Sequence, residues 1–73
     1  MTDIRTYDEQ QDCAKAIDSV FRTSNEINKD SLIFDLKKNY SVSLLYIKST
    51  IHQASKFFKF KYDEEKEIYY LIK

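Results

Sequence analysis

Seventy-three residues, 42% hydrophobic and 33% charged, make one globular domain and leave no room for a second core. The absence of glycine and proline excludes the glycine-rich phosphate loops of nucleotide-binding folds, and the sandwiches and barrels that depend on Gly/Pro turns. Twelve basic residues balance twelve acidic ones, no apolar run has the length of a membrane span or signal peptide, and a single cysteine excludes both an internal disulfide and a cysteine zinc site, which together point to an intracellular protein.

Residues 1–5 show no pattern and are expected to fray. Thr6 and Glu9 have the spacing of a capping box, and Asp8 and Glu9 suit the positive end of a helix. Ala14, Ile17, Val20 and Phe21, with Cys13 on the same stripe, predict an amphipathic helix over Tyr7–Arg22. A polar break follows at 23–26. Ile27, alone between polar residues, predicts a brief strand contact. Asn28 or Asp30 can cap a second helix, buried through Leu32, Ile33 and Leu36 and partly covering Phe34. Lys37 and Lys38 suit its negative end, and Asn39 suits a left-handed C-terminal position.

Ser41 or Ser43 can cap a third helix. Its apolar positions, Leu44, Ile47, Ile51, Ala54 and Phe58, have the cleanest helical period in the chain. From Phe58 the period becomes two. Phe58, Phe60 and Tyr62 alternate with Lys59 and Lys61. Asp63, Glu64, Glu65 and Lys66 form a polar turn, and Ile68, Tyr70 and Ile72 alternate again. This pattern predicts a β-hairpin with one aromatic face inward. Without glycine, a turn longer than two residues is expected.

Three helices followed by a hairpin give an α+β fold, and this order resembles the winged helix-turn-helix superfamily over about Tyr7 to Ile72. Lys29 to Lys38, the turn Asn39-Tyr40-Ser41-Val42, and Ser43 to Phe57 correspond to the helix-turn-helix, and Phe58 to Ile72 to the wing. Asn39 stands where many members have glycine. The resemblance implies that helix three enters the major groove of double-stranded DNA. With Ile47, Ile51, Ala54 and Phe58 in the core, the opposite side carries Ser49, Gln53 and Lys56, with Tyr46 beside them and His52 and Leu45 on the other flank. Gln53 can read adenine, Ser49 can donate or accept, and Lys56 can reach guanine or phosphate. Lys37, Lys38 and Lys48 would lie nearer the phosphate backbone, and Lys59 and Lys61 belong to the same DNA-binding set. Tyr46 can serve the same surface or cover Leu32 or Phe34. Leu45 can touch a thymine methyl or turn inward. One short helix reads few base pairs, so a homodimer is expected.

The charge distribution agrees with that reading. Residues 1–36 hold 4 basic and 8 acidic side chains, residues 37–61 hold 6 lysines and no acid, and residues 62–73 hold 2 basic and 4 acidic side chains. Such a stretch attracts phosphates even in a neutral molecule; a solvated lysine face kept for solubility is the plainer alternative. Phe, Tyr, Met, Ile, Asn and Lys supply 33 residues and Gly, Ala, Arg and Pro only 5, the codon bias of an AT-rich genome such as that of a virus, plasmid or microbe. No catalytic set, metal site or cofactor loop is visible, so no enzyme and no cofactor is expected. The lone His52 reads as a surface residue and Cys13 as a small buried hydrophobe. Against DNA stands the hairpin tip. Asp63, Glu64 and Glu65 would repel phosphate, and the tyrosine-rich hairpin suits a protein partner instead.

Overall fold

The computed structural model describes residues 4–72. The chain forms α1 (Ile4–Thr23), β1 (Glu26–Asn28), α2 (Lys29–Asn39), α3 (Leu44–Phe57), β2 (Phe60–Asp63) and β3 (Ile68–Leu71). The strands make one antiparallel sheet in the order β1-β3-β2. This is the expected α+β layout of three helices with a C-terminal hairpin as a wing.

Each helix follows its apolar period. In α1, Cys13, Ile17 and Phe21 are buried; α2 contributes Leu32 and Leu36, and α3 contributes Ile47, Ile51 and Ala54. Ile27, Phe60 and Tyr69 close the core from the sheet. Burial pushes the Cys13 thiol up, consistent with a small hydrophobe rather than a reactive thiolate. Phe21 joins the layers. Its ring meets Phe60 at 4.9 Å and Tyr69 at 5.8 Å edge-on, and lies parallel to Phe58 at 6.3 Å. Aromatic pairs in such arrangements add about 0.5–1.5 kcal/mol each beyond their burial.

Residues 1–3 of the frayed segment lie outside the described residues, but α1 already begins at Ile4. Thr6 is therefore inside the helix and not its cap. The Glu9 carboxylate instead accepts a hydrogen bond from the Ser41 backbone N–H at 3.1 Å, tying α1 to the turn before α3. Phe34 is 69% exposed, because it lies on the side of α2 opposite Leu32 and Leu36. Leu44, the first residue of α3, is also exposed; Val42, read from sequence as a turn residue, is buried beside the core instead. The caps are clearer. Asn28 accepts from the Ser31 N–H at 3.0 Å and Ser43 from the Tyr46 N–H at 3.1 Å, each satisfying an otherwise free donor.

Asn39 is not left-handed. It ends α2, and Tyr40 leaves in extended conformation while its N–H still bonds the Leu36 carbonyl at 2.9 Å. The positive φ angles fall on Lys59 (61°) and Glu67 (55°). Both sit where the chain reverses, and with no glycine available these side chains bear the strain, roughly 1 kcal/mol each. Lys59 follows the C-cap of α3, and its N–H bonds the Lys56 carbonyl at 3.2 Å. Lys59→Gly is expected to raise stability by about 0.5–1 kcal/mol, a few degrees in thermal unfolding, whereas Lys59→Ala keeps the strain and should give no gain. Equal melting temperatures for the two variants would show that the left-handed angle carries no cost.

The hairpin turn is longer than two residues, as expected without glycine, but it spans 64–67 rather than 63–66, because Asp63 is still paired in β2. Asp63 organises it: one carboxylate oxygen accepts from the Glu65 and Lys66 N–H groups at 3.0 and 3.2 Å. This turn pairs Asp63 with Ile68 and Tyr62 with Tyr69. The expected parity of β3 is thereby reversed. Tyr69 is 6% exposed and Leu71 half-buried, while Tyr70 and Ile72 face out. A one-residue change in register moves every side chain of a strand to the other face.

Candidate nucleic-acid interface

Helix α3 is held firmly from one side. Ile47, Ile51 and Ala54 bury its inner stripe, and α1, α2 and β2 all pack against it. Ser55 is buried too, its hydroxyl donating to the His52 carbonyl at 2.7 Å. The outer side carries Leu45, Lys48, Ser49, His52, Gln53 and Lys56, all exposed. Ser49 lies one turn beyond Leu45, Gln53 one turn beyond Ser49, and Lys56 alongside. This face bears hydrogen-bonding, cationic and apolar groups and no carboxylate. A rigid helix presenting such a strip has the dimensions and chemistry of a major-groove reader.

The other sequence-predicted residues divide. Lys38 is exposed in the last turn of α2, close in sequence to the turn that leads into α3. Lys37 is exposed but engaged: its ammonium donates to the Val42 carbonyl at 3.1 Å and steadies that turn. An ammonium has three donors, so Lys37 still presents charge at this corner. Lys59 lies just past the end of α3. Lys61 projects from the outward face of the sheet, paired across from Tyr70, and not with the α3 set. Tyr46 is half-buried against the core, and its hydroxyl donates to the Gln10 carbonyl of α1 at 2.9 Å, so that hydroxyl is engaged within the fold.

Beside Gln53 the sequence reading missed a groove between α1 and α3, about 310 Å³, lined by Asp18, Thr50, Gln53, Ala54 and Phe57. Phe57 is 76% exposed, its ring edge-on to Phe58 at 4.9 Å. The run Phe57-Phe58-Lys59-Phe60 was the available signal: only one residue of an adjacent aromatic pair can share the helix's inner stripe. On the α1 side the exposed Asp18 lines the same groove as Gln53.

The wing tip is tied down. The Lys29 N–H bonds the Glu67 carbonyl at 3.0 Å, holding the turn against the start of α2, and the Lys29 ammonium lies over the Tyr62 ring at 5.1 Å. Hydrogen bonding to Asp30, and its negative charge, push the Glu67 carboxyl above the usual range. The acids thus gather where β2 and β3 meet α2, away from the lysines at its other end.

Among the described residues no group of His, Cys, Asp and Glu side chains could hold a metal ion, and no helix is long and apolar enough to cross a membrane. Comparison of the chain with family models, with curated proteins and with solved structures gave no match.

Proposed function

We propose that this chain is a small DNA-binding protein of the winged helix-turn-helix superfamily, a transcriptional regulator that acts inside the cell by laying α3 in the major groove. The observation that carries this reading is the outer side of α3. Ser49, Gln53 and Lys56 stand exposed there at helical spacing, within a stretch of 25 residues that holds six lysines and no acid. Gln53 and Ser49 read base edges, and Lys38, Lys48 and Lys56 bind phosphates as point charges. The function requires neither cofactor nor catalysis. Two copies give the footprint that one short helix lacks. A gel shift on random-sequence duplex at low and moderate salt tests the reading. Binding that falls steeply with salt is expected, and no retardation even at low salt sinks it.

A second reading is favoured by one feature. Phe34 and Phe57, 69% and 76% exposed, are large aromatics on a small surface, and with the acidic tip they suit a protein-interaction module. The tip separates the two readings. Its anchor at Lys29 lies about 12–14 Å from Lys37 and Lys38 along α2, and the tip about 13 Å from the end of α3 along β2, beyond the Debye length of about 8 Å in physiological salt. Replacing Asp63, Glu64 and Glu65 with asparagine keeps the side-chain acceptor that builds the turn. Duplex affinity is expected to change less than about twofold at physiological salt and to strengthen only at low salt. Strengthening of tenfold at physiological salt would place the wing on the DNA. Loss of a protein complex by this variant, with no duplex binding by either form, would establish the second reading.

A further inference from the structure

The outer side of α3 is not uniformly polar. Leu45 stands 78% exposed, one turn before Ser49 and two turns before Gln53. The fold does not need leucine there: the inner stripe is filled by Ile47, Ile51 and Ala54, and Ser43 supplies the cap. A single surface leucine is ordinary in isolation. This one shares its face with residue types that bond base edges. Thymine is the base that offers a methyl group in the major groove, and adenine is the base that pairs bidentately with a glutamine amide. Guanine is read by arginine or lysine; both arginines of the chain, Arg5 and Arg22, belong to α1, which leaves α3 only lysines, point charges that carry little base information.

Resting on the DNA-binding reading above, we propose that α3 selects A·T-containing sites, with Leu45 packed on a thymine methyl and Gln53 bonded to an adenine. Eight residues of helix separate the two side chains, about 12 Å, which at about 3.4 Å per base pair places the thymine and the adenine roughly three to four base pairs apart. Ser49, between them, bonds either kind of pair and adds little selection. Lys38, Lys48 and Lys56 bind whatever the sequence, so the preference rests on Leu45 and Gln53.

The test uses the whole chain and short duplexes of equal length. One contains only A·T pairs, and a second is identical with uracil in place of thymine. A third contains only G·C pairs, and a fourth is identical with 5-methylcytosine in place of cytosine. Uracil lacks the thymine methyl, and 5-methylcytosine places a methyl at the same ring carbon. Wild type is expected to prefer A·T to G·C, and to lose about fourfold in affinity for each contacted thymine that becomes uracil, the worth of one buried methyl group. It should gain similarly on the methylated G·C duplex. Leu45→Ala should bind with an unchanged salt slope yet no longer distinguish methylated from unmethylated duplexes. Gln53→Ala should keep the methyl dependence and retain only the part of the A·T preference that the thymine methyl supplies. Because Leu45 is exposed, its variant should unfold at the wild-type temperature, and the uracil comparison on wild type needs no variant at all.

Equal wild-type affinity for the thymine and uracil duplexes overturns the inference. So does a Leu45→Ala protein that still senses the methyl. Salt-dependent binding of equal strength on all four duplexes overturns the inference while leaving the DNA-binding reading intact. Absence of binding to every duplex at low salt overturns both.

Discussion

Replacing Lys38, Lys48 and Lys56 together with alanine is expected to weaken duplex binding on the order of a hundredfold at about 0.1 M salt, and to reduce the log–log salt slope by about 2.7. Each lysine that neutralises a phosphate releases condensed counterions and contributes about 0.9 to that slope. The three were chosen by position. Lys48 and Lys56 stand exposed on α3, and Lys38 ends α2 at the turn into α3. Lys37 is kept, because its ammonium also bonds the Val42 carbonyl and its loss would loosen the turn as well as remove charge. Lys38 and Lys56 each favour the negative end of their helix by about 0.3–1 kcal/mol, so the variant should be slightly less stable and should be assayed well below its melting temperature. The loss should be similar on every sequence, since lysine carries little base information. A variant with the wild-type slope would remove these lysines from the interface.

Phe21→Ala is expected to cost about 3–5 kcal/mol, most of the stability that a domain of this size holds. Phe21 is 2% exposed, and its ring touches Phe58, Phe60 and Tyr69, so it joins α1 to the end of α3 and to both wing strands. Deleting it leaves a cavity that three aromatic rings from different elements cannot easily fill. Urea unfolding of wild type, Phe21→Ala and Phe57→Ala provides the check. Phe57 is 76% exposed, and its removal should change stability by less than about 0.5 kcal/mol. If both variants lose stability equally, the aromatic cluster is not the joint between helices and wing.

The helices were legible because each carries its own period. Ile47, Ile51 and Ala54 return to one side of α3 whatever lies opposite, and Asn28 and Ser43 each cap within three residues. Ile27 was legible as a strand because an isolated apolar residue between polar ones needs a pairing partner, which Tyr69 supplies. The outer side of α3 followed from the inner stripe by subtraction, so Ser49, Gln53 and Lys56 were found together. Tyr46 was not resolved in this way. It lies at the edge of the stripe, and only the position of the Gln10 carbonyl on α1 turns its hydroxyl inward. Phe57 escaped for the opposite reason, since hydrophobicity alone does not say which of two adjacent aromatics faces water.

The amino-acid order by itself determined three helices, a brief strand and a hairpin, and it concentrated six lysines without an acid between residues 37 and 61. Local period, caps and charge run along the chain and need no knowledge of what packs where. The tertiary structure decided the rest. It placed the left-handed residues at Lys59 and Glu67 rather than Asn39, because the chain must reverse into β2 and β3 at those points. It set the parity of β3 through the Asp63 turn and the core place of Tyr69. It moved Glu9 from a helix cap to the Ser41 N–H, 32 residues away in sequence. Each of these depends on contacts between distant segments, whose energies compete with and override local preference.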